Sequence, residues 1–294
     1  EINFTEHRPV LHPLWRERNF AALLEAGEAR ELGAATQRMR GIAAALNGRR
    51  LPGDSGQPHI KHIVHIGIGG SLLGPRLLCQ AFPPRGHCPQ VHFLSSVDAL
   101  DRERLLERID PRETAVILVS KSFSTSEVLL HARRIRDWQL AVMERPEADR
   151  RLFAVTAAAA RAEAFGVPAA HVLQMGEWTG GRFSVWSPVG VTAAVTMGPD
   201  GFDAFLGGGA AMDRHFRETP LADNLPVILG MLSVWHRNVC GYPVRGVIPY
   251  DGRLAGLPHA DILIAELCLH QPNSALRLNG CGMAILNPPW RFEH

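Results

Sequence analysis

The chain has 294 residues, of which 46% are hydrophobic, and this is enough apolar material for the core of one large α/β domain or two smaller ones. Its 31 basic and 29 acidic residues are interspersed and give a net charge of +2, so we expect no nucleic-acid or anionic-membrane partner. The longest apolar run, from Pro226 to Trp235, is far shorter than the roughly 20 residues of a membrane-spanning helix. We interpret that run as a buried helix.

The five cysteines form no C-x-x-C pair, and the fourteen histidines show no H-E-x-x-H or H-x-x-x-H spacing. We therefore expect no disulfide framework and no metal site, and a reducing cytoplasm fits this cysteine usage best. Residues 1–6 contain no basic region followed by an apolar stretch, so no signal peptide is predicted. Because they also lack an initiator Met, we expect the chain to begin inside a longer protein.

The predicted elements begin with helices and continue with strands. Between Leu14 and Leu46, apolar residues recur at helical spacing, which predicts two amphipathic helices before Pro52. The period then changes, and short apolar runs alternate with turns and helical segments. Six of these runs are predicted strands: Ile60–Ile66, Val91–Leu94, Ala115–Val119, Leu152–Val155, His171–Leu173 and Val244–Ile248.

A long helical stretch from Gly190 to Gly241 separates the sixth predicted strand from the other five. It is interrupted at Gly207-Gly208-Gly209 and at Pro220. Strands that alternate with helices in this way predict an α/β fold with three layers, in which helices cover both faces of a mainly parallel sheet.

A glycine-rich turn follows the first predicted strand and leads into a helix. It reads Gly67-Ile68-Gly69-Gly70-Ser71-Leu72-Leu73-Gly74-Pro75. Glycines let the backbone approach a ligand and point N–H groups at an anion, and the helix N-terminus adds a favourable dipole. A dinucleotide-binding fingerprint is disfavoured, because Leu72 stands where the third glycine is required. A purely structural turn remains the alternative to an anion site.

The third predicted strand is followed by a second polar turn, Ser120-Lys121-Ser122-Phe123-Ser124-Thr125-Ser126-Glu127. One ammonium group and five hydroxyls at the carboxyl end of a strand can coordinate a phosphate through charge-assisted hydrogen bonds. Each hydroxyl also has an alternative role as a helix cap, and Ser124 with Glu127 fits the S-x-x-E capping box. Two such turns on neighbouring strands indicate one phosphorylated ligand. A P-loop is excluded, because no G-x-x-x-x-G-K-[ST] motif occurs.

A third motif is Gly180-Gly181-Arg182, which opens the run Gly180 to Ser187. Two glycines before an arginine allow the main chain to come close to a substrate, which a surface ion pair does not need. The alternative is that Arg182 pairs with a nearby carboxylate.

In this order, the runs Gly67–Pro75, Ser120–Glu127 and Gly180–Ser187 resemble the signature of the phosphoglucose isomerase family. The similarity extends from about residue 1 to Pro258. It implies a sugar isomerase (SIS-type) fold with paired sugar-phosphate-binding domains, here truncated. The implied organisation is an N-terminal helical segment at 1–52, a first domain at 53–178, the start of a second domain at 179–258 and an unmatched tail at 259–294.

The resemblance also implies an activity: the interconversion of glucose 6-phosphate and fructose 6-phosphate in glycolysis and gluconeogenesis, without a metal or organic cofactor. The complete family member is implied to be a homodimer. Contact with the hexose 6-phosphate is assigned to six residues: Gly70, Ser71, Ser120, Lys121, Ser122 and Thr125. Arg182 is assigned the catalytic role of stabilising the negative oxygen of a cis-enediolate.

The end of the chain departs from the family pattern. The family's general base is the Glu of an E-S-x-G-K motif, and this chain has no such motif. Glu266 lies near the expected spacing, but its neighbours Ala265 and Leu267 do not match, so the role is not transferred to it. The family's later histidine and lysine elements are also absent. A frameshift or gene-model error after Pro258 and a genuine divergence both remain open.

Without the base we expect little or no isomerase activity from the chain as given. The alternative function is a non-catalytic, sugar-phosphate-binding regulatory domain, which the missing base favours and the Arg182 motif disfavours. A nicotinamide-dependent oxidoreductase ranks third, because of Leu72.

Overall fold

The computed structural model describes residues 2–3, 8–9, 11–16, 26–57, 59–82, 84, 86–95, 99–242, 262–268 and 280–286. The chain divides into two compact units, Glu1–Ala210 and Ala211–His294. The sequence-based domain boundaries given above stay a prediction.

Strands and helices alternate along the described part of the first unit. The strands are β1 (Ile2–Asn3), β2 (Arg8–Pro9), β3 (His62–Ile66), β4 (Gln90–Leu94), β5 (Thr114–Val119), β6 (Leu152–Thr156) and β7 (Val172–Gln174). The α-helices are α1 (Ala26–Asn47), α2 (Gly70–Ala81), α3 (Ala99–Leu106), α4 (Ser126–Leu140), α5 (Arg145–Asp149), α6 (Ala159–Phe165) and α7 (Val191–Met197). Helix α8 (Pro199–Glu218) follows, and the second unit contains α9 (Leu225–Val234) and an antiparallel pair, β8 (Ile262–Cys268) and β9 (Gly280–Leu286).

Five strands form one parallel sheet in the order β4-β3-β5-β6-β7. From β3 the chain moves outward to β4 and then returns to the other side of β3 to form β5. The direction of winding therefore reverses between β3 and β5. In open α/β sheets, ligands bind outside the carboxyl ends of the strands at such a reversal. The fold thus points to the loops after β3 and β5.

Two apolar clusters lie on opposite faces of this sheet. Along β5, Ala115, Ile117 and Val119 belong to one cluster, and Val116 and Leu118 belong to the other. Successive side chains of a strand point to opposite faces, so a strand covered on both sides reads as a continuous apolar run. Helices α1, α2, α7 and α8 contribute to the first cluster, and α4 and α6 to the second. The three-layer α/β fold predicted from the sequence is confirmed.

Five of the six predicted strands are present, and the sixth, Val244–Ile248, lies outside the described residues. In the N-terminal region, where two helices were predicted, the described residues form a 3-10 turn at His12–Trp15 and the long helix α1. Among the helices that the structure describes, none combines the length and apolar character needed to cross a bilayer.

The predicted interruption at Gly207-Gly208-Gly209 is wrong, because these residues lie inside the continuous helix α8. The break falls at Gly198, between α7 and α8. A Cβ atom at Gly209 would lie 2.7 Å from Cδ of Arg16 and 2.8 Å from the ring of Trp186. This glycine permits close packing and does not end the helix.

The predicted burial of the run Pro226 to Trp235 is also wrong. None of the residues of α9 is buried, and Met231 is 64% exposed. Trp235, directly after α9, is 56% exposed. Hydrophobicity shows that a segment can be buried, but the neighbouring elements decide whether it is.

Candidate functional site

The two polar turns lie side by side at the carboxyl edge of the parallel sheet. Strands β3 and β5 pair directly, and Ile66 stands opposite Leu118. The glycine-rich turn begins one residue after Ile66, and the polar turn begins at Ser120, directly after β5. Both turns therefore leave the sheet at the reversal point of the winding.

Helix α2 begins at Gly70, and Gly69 is its N-cap. The amides of Gly69 and Gly70 donate to no acceptor among the described residues. The first amides of a helix have no partner within it, and the helix dipole makes this end attractive to an anion. The turn thus offers backbone donors to a negatively charged ligand.

The hydroxyl groups of the second turn bond to one another. Ser120 Oγ lies 2.9 Å from Thr125 Oγ1, and Ser122 Oγ lies 2.6 Å from Ser124 Oγ. The capping-box alternative is wrong: α4 starts at Ser126, and its N-cap, Thr125, makes no side-chain capping bond. A hydroxyl can donate one hydrogen bond and accept two, so these paired groups can still bind a ligand oxygen.

Phe123 gives the second turn its shape. Its φ is +48°, a value that a bulky L-residue rarely adopts, and its side chain is only 4% exposed. The ring packs edge-on against Phe165 at a centroid distance of 5.9 Å. The buried ring holds the main chain in this strained conformation, and the flanking Ser122 and Ser124 remain exposed.

Lys121 joins the second turn to the loops after β6 and β7. Its ammonium group donates to the carbonyl oxygen of Glu177, and its own carbonyl oxygen accepts from the Ala157 amide and the Thr156 hydroxyl, both at 2.9 Å. An ammonium has three donors, so the bond to Glu177 leaves Lys121 able to contact an anion as well. The guanidinium of Arg161 donates to the Ser122 carbonyl oxygen at 2.9 Å.

The Arg182 loop lies against the glycine-rich turn. A Cβ atom at Gly70 would overlap the carbonyl group of Gly181, so the two main chains touch where neither residue has a side chain. Arg182 is exposed in the 3-10 segment Gly181–Trp186, and its guanidinium lies 4.7 Å from the ring centroid of Phe183. The carboxylate alternative finds no support, because Arg182 has no ion pair within the described ranges.

Sequence reasoning missed His65, which is fully buried on β3. Its Nε2 lies 2.8 Å from the Ser71 carbonyl oxygen, and its Nδ1 lies 2.8 Å from Thr192 Oγ1. Burial lowers the pKa of His65 from its usual 6.5 to about 4, and the bond to Ser71 partly opposes this shift. The ring is therefore neutral at physiological pH. In the sequence, only the position of a polar residue within a buried apolar strand marked it.

The profile of the phosphoglucose isomerase family matches residues 1–262. The chain belongs to this family. It is 40% identical to a glucose-6-phosphate isomerase from Cereibacter sphaeroides over 290 residues, which are 98% of this chain and 53% of that protein. It is 43% identical to a glucose-6-phosphate isomerase from Ruegeria pomeroyi over 265 residues, which are 87% of this chain and 47% of that protein.

A crystal structure of a glucose-6-phosphate isomerase from Chlamydia trachomatis is similar to this chain, with a TM-score of 0.68 and 30% identity. The similarity covers 85% of this chain and 47% of that one. The chain thus spans about half the length of the phosphoglucose isomerases that it matches. The alignment with the Cereibacter protein covers so much of the chain that it extends into the segment 259–294.

Proposed function

We propose that this chain binds a hexose 6-phosphate at the carboxyl edge of its sheet and supplies part of the site that interconverts glucose 6-phosphate and fructose 6-phosphate. The observation that carries the proposal is the contact between Gly70 and Gly181. It brings an anion-binding turn next to Arg182, which forms no ion pair with the described residues, at the reversal point where ligands bind in sheets of this kind.

The phosphate is bound between the two turns. Ser120, Lys121, Ser122 and Thr125 present hydroxyls and one positive charge, and the amides at the start of α2 present further donors. A phosphate of about −2 charge forms short, charge-assisted hydrogen bonds with such groups. Gly70 and Ser71 are placed beside the sugar, where the absence of a side chain at Gly70 lets the Gly181 main chain, and with it the Arg182 loop, come close.

Arg182 supports the chemical step. The C2–H bond of the aldose breaks, its proton goes to a base, and its electron pair forms the C1–C2 double bond while the C1 oxygen takes the negative charge. The proton of the C2 hydroxyl then moves to the C1 oxygen, the base returns its proton to C1, and the electron pair of the double bond that makes this C–H bond leaves a carbonyl at C2, which is the ketose. A guanidinium beside the charged oxygen stabilises this intermediate. Because the chain belongs to the phosphoglucose isomerase family and carries its Gly180-Gly181-Arg182 motif, the enzymatic function is preferred to that of a domain that only binds sugar phosphates.

The chain lacks the E-S-x-G-K motif, and Glu266 falls in β8 of the second unit without matching neighbours. We therefore propose sugar-phosphate binding with little turnover for this chain, and isomerisation by a cytoplasmic homodimer for the complete family member.

Calorimetric titration tests the binding. We expect the chain to bind glucose 6-phosphate and fructose 6-phosphate but not glucose, and Lys121→Ala to weaken the affinity at least about tenfold, since a charged hydrogen bond contributes about 1.5–3 kcal/mol. The matched control is Lys61→Ala: Lys61 forms an ion pair with Glu113 at 2.6 Å just before β3, at the opposite edge of the sheet, and its loss should not change the affinity. Equal affinity for glucose, or no binding at all, would refute the proposal.

A further inference from the structure

The carbonyl group of Ser71 is in an unusual position for a residue in the first turn of a helix. In an α-helix this oxygen accepts from the backbone N–H four residues later. That residue is Pro75, which lies inside α2 and has no N–H group. The Ser71 carbonyl therefore lacks its α-helical donor.

His65 provides a donor in its place. Its Nε2 lies 2.8 Å from the Ser71 oxygen. A carbonyl oxygen can only accept, so Nε2 carries the proton, and the Thr192 hydroxyl then donates to the unprotonated Nδ1 at 2.8 Å. Thr192 belongs to the buried helix α7, so the orientation and the tautomer of the ring are fixed from the side away from the turn.

The Ser71 carbonyl is also confined sterically. A Cβ atom at Gly67 would lie 2.8 Å from the Ser71 oxygen, so the carbonyl passes directly over the start of the glycine-rich turn. Its peptide group also carries the Leu72 N–H, which donates at 3.1 Å to the carbonyl oxygen of Gly69, and that carbonyl shares a peptide group with the Gly70 N–H. A change in this carbonyl would therefore move the amides that face the anion.

We infer that His65 is a positioning residue: it supplies the hydrogen bond that Pro75 denies to the Ser71 carbonyl, and it thereby holds the glycine-rich turn in the shape that binds a phosphorylated sugar. This inference rests on the proposed function. His65 itself does not reach the ligand, because the ring is fully buried and both of its nitrogens are bonded within the protein.

Two substitutions separate the two bonds of the ring. A glutamine amide can place its nitrogen where Nε2 lies, so His65→Gln keeps a donor for Ser71. An asparagine amide reaches only the position of Nδ1, so His65→Asn keeps a partner for Thr192 and leaves the Ser71 carbonyl without its donor. We expect the affinity for fructose 6-phosphate, measured by calorimetry, to fall about tenfold in His65→Asn and to stay within about threefold in His65→Gln.

The double variant His65→Asn/Pro75→Ala gives the sharpest test, because residue 75 then regains its N–H and can bond to the Ser71 carbonyl. We expect it to recover most of the affinity that His65→Asn loses. His171→Asn is the matched control: His171 is also buried, and its Nδ1 lies 3.1 Å from the carbonyl oxygen of Leu152 at the opposite edge of the sheet. Asparagine keeps a partner for Leu152 but removes the ring, which stacks on Phe153 at a centroid distance of 4.4 Å, so His171→Asn should lower the melting temperature and leave the affinity unchanged.

The inference is overturned if His65→Asn binds as tightly as the unsubstituted chain, or if Pro75→Ala restores nothing to it. If His65→Asn does not fold, the same comparison applies to folding: recovery in the double variant supports the inference and no recovery overturns it. Failure of the unsubstituted chain to bind fructose 6-phosphate would instead refute the proposed function, and the inference with it.

Discussion

The main chain of Gly70 lies directly against the carbonyl group of Gly181, and this contact joins two motifs that are more than a hundred residues apart in the sequence. One motif presents the first amides of α2, and the other carries Arg182. Because the contact is made by backbone atoms, it fixes the distance between the two motifs without depending on the rotamer of any side chain.

Gly70→Ala should disrupt this arrangement. The added methyl group would collide with the Gly181 carbonyl, so the two loops must move apart, and we expect the affinity for fructose 6-phosphate to fall at least about tenfold. Gly41→Ala in α1 is the control, because a Cβ atom there meets nothing within 4 Å. It should leave the affinity unchanged and raise the free energy of unfolding by up to about 1 kcal/mol. Unchanged affinity in Gly70→Ala would contradict the proposed geometry.

Because Phe123 has a positive φ, we expect glycine to be tolerated at this position at least as well as alanine, which reverses the usual order within a helix. Loss of the buried ring costs roughly 3–5 kcal/mol in either Phe123→Ala or Phe123→Gly. Glycine adopts positive φ freely, whereas alanine does so at a cost of about 1–2 kcal/mol. Urea denaturation should therefore show Phe123→Gly to be at least as stable as Phe123→Ala. Ala132→Gly within α4 should show the ordinary order, with glycine less stable by about 1 kcal/mol. The ordinary order at Phe123 as well would argue against a strained turn.

The buried ring of His65 predicts a loss of stability in acid. Burial lowers the pKa of His65 from 6.5 to about 4, so the unfolded chain binds a proton in this range that the folded chain does not. The stabilisation that the neutral His65 ring provides is fully present above pH 6.5, the pKa of His65 in the unfolded chain. It is lost as the pH falls toward about 4, the pKa in the folded chain. At about 1.4 kcal/mol per pKa unit it amounts to roughly 3 kcal/mol.

This acid sensitivity can be measured by urea denaturation at about pH 7 and about pH 4.5. The difference in unfolding free energy between the two conditions should be smaller in His65→Gln than in the unsubstituted chain, because glutamine does not titrate. An equal difference in the two proteins would show that His65 does not contribute to it.

The absence of the family's base predicts a low turnover. A coupled assay for glucose 6-phosphate formed from fructose 6-phosphate should show the chain to be slower than the Cereibacter sphaeroides glucose-6-phosphate isomerase by about two to four powers of ten, the usual cost of losing a general base. Comparable turnover in the two proteins would mean that a carboxylate elsewhere in this chain takes the proton.

The parts of the fold that could be predicted from the sequence are those set by local patterns. Continuous apolar runs such as Val116 to Leu118 predicted buried strands, because both faces of the sheet are covered. The run Ile60–Ile66 ends at the glycine-rich turn, and the run Ala115–Val119 ends at the hydroxyl-rich turn. The two turns could therefore be predicted to follow neighbouring strands. The pairing of Ile66 with Leu118 confirms that placement.

Features that depend on distant contacts could not be predicted in this way. The capping-box pattern of Ser124 and Glu127 was misleading, because the hydroxyls of that turn bond across the turn instead. The link from His65 to Ser71 was hidden, because nothing in the sequence indicates that a strand residue donates to a carbonyl that Pro75 leaves without a donor. Local propensity gives the elements, and tertiary packing decides which side chains meet.

Backbone amide spectra of the ¹⁵N-labelled chain, recorded with and without fructose 6-phosphate, would show which amides the sugar phosphate contacts. We expect saturable shifts at the amides of Gly69 and Gly70 and in the run Ser120–Ser126, with no shifts at His62 and Thr114 on the opposite edge of the sheet. Absence of specific shifts, or shifts confined to the opposite edge, would refute binding at the two turns.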